Sequence, residues 1–233
     1  MKLSRITWLS AVSFALFLQT VSGQSFVNLD FEQATISPTP VGGWTYPADP
    51  AQAFPRWTVD GSGTVVMYNT LSIGAPAIDL MGPNFPNAVN YLPLEGSYSV
   101  LLQYFGYAGS APTLSQTGLV PIGSESINFL VGSGESDALV TLNGVNIPLV
   151  PISDGRLAGD ISTFAGTVSQ LTFSTTSSTG YAGNWLYFDD VQFSTSPVPE
   201  PASFVLFGLG VLFLGWKFFV YLYHDAMNKQ LNA

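Results

Sequence analysis

The chain has 233 residues, room for one sizeable domain besides targeting segments, and only 9% of them are charged. With 47% hydrophobic and 14% aromatic residues, 23 glycines and 16 prolines, it is not a disordered chain, and it reads as an all-β domain with many turns attached to something apolar. The net charge is −9, four of the six basic residues lie near the ends, and cysteine is absent; nucleic-acid binding, anionic-lipid binding by the middle of the chain, disulfides and thiolate chemistry are thereby excluded.

Residues 1–23 open with Lys2 and Arg5, continue through an apolar stretch over 6–18 and end in the small residues Ser22 and Gly23. This is the layout of a secretory signal peptide, cleaved before Gln24 by signal peptidase. The alternative is an uncleaved anchor, for which the apolar stretch is short against about 30 Å of hydrocarbon.

Residues 24–195 read as strands separated by turns. SFVNLDF, RWTV, TVVMYN, SYSVLLQYF, ESINFLV, ALVTLNG, VNIPLV, QLTFSTT and WLYFDDVQF are rich in β-branched and aromatic residues, and several alternate apolar with polar. Asp60-Gly61, Glu95-Gly96, Asn143-Gly144 and Asp154-Gly155 supply turn chemistry, and Asn143-Gly144 predicts a tight hairpin. No stretch of this domain has sustained helical periodicity. The expected fold is an all-β sandwich of the jelly-roll kind.

NLDFEQ (28–33) resembles the opening segment of galactose-binding-like jelly rolls, the fold of many carbohydrate-binding modules. FDDVQF (188–193) resembles their closing strand, and LEGSYSVLLQ (94–103) and LSQTGLVP (114–121) resemble central segments. The resemblance implies that the first and last strands are neighbours and that a carboxylate from each holds a structural Ca2+. By position these are Glu32 and Asp189, with Asp190 a substitute for the latter. Calcium suits such a site because it takes six to eight oxygens. The other reading makes them solvated acids at strand ends. A saccharide ligand is a further implication, with the loop aromatics Tyr46 and Tyr107 as candidates; Trp57 and Trp185 sit in strand patterns and are expected in the core.

Catalysis is not expected. The one histidine, His224, lies beyond the C-terminal apolar segment, and no nucleotide-binding fingerprint occurs. Paired carboxylates, Asp30 with Glu32 or Asp189 with Asp190, remain the only enzymatic arrangement, and they would compete with a metal for the same side chains.

The chain continues through a Pro/Ser linker over 196–201, an apolar segment over 202–223 and a short tail over 224–233. The apolar segment is long enough for one transmembrane helix; Lys217 can snorkel, and Trp216, Tyr221 and Tyr223 suit an interface. The tail is then cytoplasmic. Val198, Pro199, Glu200 and Pro201, followed by a glycine-interrupted apolar run and a basic residue, resemble the PEP-CTERM sorting signal over 197–217. The resemblance implies recognition by an exosortase and sorting to the surface of a bacterium that makes extracellular polysaccharide. One lysine stands where that family carries an arginine-rich cluster, and the chain runs on further. Pro199 and Pro201 hold the motif extended outside the bilayer, where a membrane enzyme could grip it. The expectation is an exported surface or matrix protein, structural or adhesive. The alternatives are a carbohydrate-binding module with a defined saccharide ligand and a permanently anchored single-pass protein.

Overall fold

A computed structural model describes residues 23–36, 47–71, 76–83, 92–104, 109–132, 138–175, 183–198 and Lys217. Gly23 apart, the expected signal peptide lies outside these residues. So does the expected span over 202–223, except Lys217, which is helical and exposed. Among the described residues no helix is long and apolar enough to cross a membrane.

The described residues form two sheets. One contains β1 (Thr58–Asp60), β5 (Thr113–Leu119), β11 (Val168–Thr175), β7 (Ala138–Leu142) and β8 (Val145–Asn146), in that order. The other contains β2 (Val65–Tyr68), β3 (Ala77–Met81), β4 (Ser99–Tyr104), β12 (Asn184–Ser194), β6 (Ser126–Val131), β10 (Arg156–Asp160) and β9 (Val150–Pro151), also in order. Every pairing is antiparallel except β2 with β3. A four-residue helix, α1 (Pro50–Ala53), is capped by Asp49, whose Oδ1 accepts from Ala51 N–H at 2.9 Å.

The core lies between the sheets. Leu114, Val140, Leu171 and Phe173 face it from the smaller sheet, and Ile78, Leu102, Phe129 and Phe188 from the larger. Its centre is aromatic: Phe173 stacks on Phe188 with ring centroids 4.5 Å apart, and Phe129 meets Phe173 edge-on at 5.2 Å. Trp57 is buried here, as expected. Trp185 is not; it is half-buried on the outer face of the larger sheet, beside Met81, Leu101 and Tyr187.

The hairpin expected at Asn143-Gly144 joins β7 to β8, and both turn residues have positive φ, 49° and 77°, as this tight turn demands. SFVNLDF is not a strand. It pairs only through Ser25 with Leu119, because Asn28 and Phe31 take φ of 53° and 56°, which no extended strand allows. VNIPLV divides into β8 and β9 around Ile147 and Pro148. Strands β3 and β10 escape the sequence patterns, and β5 is marked only by the resemblance of LSQTGLVP (114–121). The Phe188→Ala variant should lose about 3–5 kcal/mol, read as a lower midpoint in denaturant, whereas exposed Val65→Ala should change stability by less than about 0.5 kcal/mol.

Candidate functional site

The opening segment is built around Asn28. Its Oδ1 accepts from Gln33 N–H at 3.0 Å and its Nδ2 donates to the Pro55 carbonyl at 3.1 Å, while its own carbonyl accepts from Trp57 Nε1–H at 2.9 Å. The turn so formed sends Phe31 into the core, where its ring meets Trp57 at 5.4 Å and Phe188 at 5.5 Å. The next residue, Glu32, is exposed, and its Oε1 accepts from Ser97 N–H at 2.7 Å and Tyr98 N–H at 2.9 Å. Gly96 (φ 56°) makes room for this contact, because a Cβ there would meet Glu32 Oε1 and push the carboxylate aside.

The closing strand reaches the same loop. Asp189 follows Phe188 on β12 and so points to the opposite face of the larger sheet. There it is 1% exposed. Its Oδ2 accepts from Ser99 Oγ–H at 2.7 Å and Glu95 N–H at 3.2 Å, and its Oδ1 from Asp190 N–H at 2.6 Å. Residues 95–99 are thus gripped from two sides by the two acids singled out in the sequence. Burial pushes the Asp189 carboxyl from 3.8 up to about 7, against these hydrogen bonds, and the charge of Glu32 adds to the rise.

Asp190 takes a separate course. The register of β12 against β6 shifts between Asp189 and Gln192, and Asp190 adopts φ 44° in this bulge. Its carboxylate pairs with Arg156 Nη1 at 2.8 Å, and its carbonyl accepts from Nη2 at 2.5 Å, while Arg156 Nε donates to Asn128 Oδ1 at 2.6 Å. Asp190 is the counter-charge of an arginine, a partner that Asp189 lacks. Its charge raises the carboxyl of Glu95 nearby. Asp30 is exposed, its Oδ1 3.4 Å from Glu32 N–H.

The fit to a cation rests on charge and donor type. Among the described residues the one ion pair is Arg156 with Asp190, so neither Glu32 nor Asp189 has a basic partner. No group of three acidic or histidine side chains among them is placed to hold a metal. A hard cation between Glu32 and Asp189 would take its remaining oxygens from backbone carbonyls and water, which calcium accepts.

Two further features escape the sequence reading. Asp79, on β3, is fully buried and bonded to Gln103 Nε2 at 2.5 Å and Thr70 N–H at 3.2 Å, and burial raises its carboxyl well above the usual range. A cavity of about 570 Å3 opens on the outer face of the smaller sheet, lined by Asp60, Thr113, Thr141, Thr172, Ser174 and Thr175 among others. Its signal was present in the outward Ser and Thr positions of β5, β7 and β11.

The linker leaves the domain beside β6: Ser126 Oγ–H donates to the Ser196 carbonyl at 2.8 Å, and the described course ends at Val198. Residues 197–217 match the PEP-CTERM protein-sorting motif. The chain therefore carries a sorting signal, and of its VPEP residues Val198 is described, while Pro199, Glu200 and Pro201 lie outside the described residues, as do Tyr46 and Tyr107. No curated protein matches the sequence. Two solved structures are similar to 60% of this chain: the enzymatically active domain of tailspike protein 4 of bacteriophage CBA120 (16% identity, TM-score 0.34) and TmCBM61, solved with β-1,4-galactotriose (18% identity, TM-score 0.30). The match spans 19% of the tailspike chain and 89% of TmCBM61.

Stability should report the Asp189 proton. The folded state holds it up to about pH 7, whereas the unfolded chain releases it near 3.8. Folding takes up a proton between these values, so this contribution is greatest on the acid side and is lost as the pH rises through about 7. In chelator, the melting temperature of wild type should fall over that window more steeply than that of Asp189→Asn; the slope left in the variant belongs to groups such as Asp79, shifted in the same direction.

Proposed function

We propose that this is an exported bacterial surface or matrix protein, delivered by its N-terminal signal and sorted through its PEP-CTERM segment by an exosortase. Its jelly-roll sandwich has a structural or adhesive role in a polysaccharide-rich envelope. The match over residues 197–217 carries this reading. The acidic middle of the chain and its lack of cysteine support it, since nothing there suits nucleic acid or thiol chemistry. In this reading the apolar segment over 202–223 holds the protein in the inner membrane until the sorting enzyme acts, and no catalytic step is assigned to the sandwich.

Mass spectrometry of the native C-terminus tests it directly. A terminus close to Pro199, Glu200 and Pro201 is the expected result. An intact Ala233 on the mature protein would favour the permanently anchored alternative.

Calcium belongs to the same proposal. Glu32 and Asp189 would hold the ion outside the larger sheet and tie the opening segment, the loop over 95–99 and β12 together. A ligand that binds only the folded state stabilises it by mass action. At a hundredfold excess over its dissociation constant calcium should raise the melting temperature by about 5–10 °C, and chelator should reverse this. Glu32→Gln and Asp189→Asn should each lose the response. A wild-type melting temperature indifferent to calcium and chelator would remove the ion from the proposal and leave sorting untouched.

A further inference from the structure

The opening segment and the linker meet the sandwich at the same end. Leu119, the last residue of β5, donates through its N–H to the Gln24 carbonyl at 2.8 Å. β12 runs out beside the start of β6: Glu125 N–H donates to the Ser194 carbonyl at 2.8 Å, and Ser126 Oγ–H to the Ser196 carbonyl at 2.8 Å. Asp60 and Thr113, paired across β1 and β5, mark the opposite end, because the seven residues of β5 span roughly 20 Å.

The connection from β5 to β6 caps the end from which the linker leaves, and its turn puts Ile122 at the tip. Ser124 N–H donates to the Pro121 carbonyl at 3.2 Å, and Gly123 takes φ 80°, as the third position of a type II turn requires. Ile122 is 86% exposed, the most exposed large apolar side chain among the described residues.

The turn before β11 braces this tip. Gly166 N–H donates to the Val120 carbonyl at 3.0 Å, and Val120 N–H to the Thr167 carbonyl at 2.9 Å. A Cβ on Gly166 would lie 3.4 Å from Ile122 Cγ1, so the two turns touch. Val168, at the start of β11, is exposed beside them. Residues 120–124 and 164–168 include no charged side chain.

One exposed isoleucine on a free domain would need no explanation. The linker changes this. Six residue steps separate Ser196, bonded to Ser126, from Ala202, where the apolar segment begins. Such a chain reaches at most about 20–22 Å. The headgroup layer takes up about 5–8 Å of that reach, which leaves a gap of at most about 15 Å between the bilayer surface and this end of the sandwich. At so short a tether, contact with the bilayer is an intramolecular event, and a small apolar tip suffices to hold it. Charge selects the kind of surface. The two turns are neutral, and Glu125 and Asp160 lie exposed beside them, which suits a zwitterionic surface and opposes an anionic one.

We infer that the anchored protein rests the β5–β6 end of its sandwich on the bilayer, with Ile122 and Val168 in the headgroup layer of a zwitterionic surface and the Asp60 end turned away. This placement rests on the reading that residues 202–223 hold the protein in a membrane, and it ends when the linker is cut.

The test is fluorescence quenching on the full chain in phosphatidylcholine nanodiscs, and the absence of cysteine lets one probe be attached at a time. Thr167→Cys reports beside the tip, and Ser62→Cys reports at the far end; both positions are exposed. A quencher carried on the lipid chains should act at 167 and not at 62, and aqueous acrylamide should act severalfold less at 167 than at 62. Adding Ile122→Asp should bring acrylamide quenching at 167 up to the level at 62, with the melting temperature unchanged because the position is exposed. Equal quenching at the two positions, or no response to Ile122→Asp, would overturn the placement. Elution with the discs reads anchoring separately. Protein that stays outside them overturns the anchored reading together with the placement, whereas incorporated protein with both probes in water overturns the placement alone.

Discussion

Two phenylalanine–acid pairs, one from each end of the domain, hold this fold together at a single place. Phe31 and Phe188 meet edge-on inside the sandwich at 5.5 Å, and the acids that follow them, Glu32 and Asp189, bond to the same loop outside it. Apolar contact on one side and hydrogen bonding on the other leave the opening segment little freedom to slide along β12. Val191 N–H donating to the Leu29 carbonyl at 3.0 Å adds a backbone link between them. The first and last segments of the described domain thus close on each other without a disulfide.

The sequence exposes this arrangement unevenly. Strands such as β11, with buried and exposed positions alternating through most of its length, can be read directly. β3 cannot, because all five of its residues are buried and one is Asp79. β5 reads as polar because its outward positions carry hydroxyls, and its inward Gln116 is spent holding Val27, accepting from its N–H at 2.7 Å and donating to its carbonyl at 3.0 Å. The opening segment is misread for a related reason. Its apolar–polar alternation imitates a strand, but Asn28 satisfies the backbone of a turn instead.

The site shows the same division. The resemblance of their segments points to Glu32 and Asp189 together, and both bond to the loop over 95–99, whereas the pairing of Asp190 with Arg156 has no sign in the sequence. The bulge that turns one acid onto the loop and the other onto Arg156 is a property of strand pairing, invisible until β6 is in register. The cavity was hidden differently. No single segment carries it, and its lining becomes a surface only when β1, β5, β11 and β7 lie side by side.

Charge connects these observations. A buried carboxylate held near neutrality at its titration point is destabilising when ionised, and Asp189 bears that cost where three segments meet. Its three hydrogen-bond donors, Ser99, Glu95 and Asp190, belong to the loop over 95–99 and the last strand, and the charge of Glu32, from the opening segment, acts on it through space. A proton or a cation at Asp189 therefore acts on the closure of the whole sandwich, not on one side chain. The cavity lies apart from this acidic point and carries one acid of its own. The buried carboxyls Asp189 and Asp79 both belong to the larger sheet, while the outer face of the smaller one carries hydroxyls.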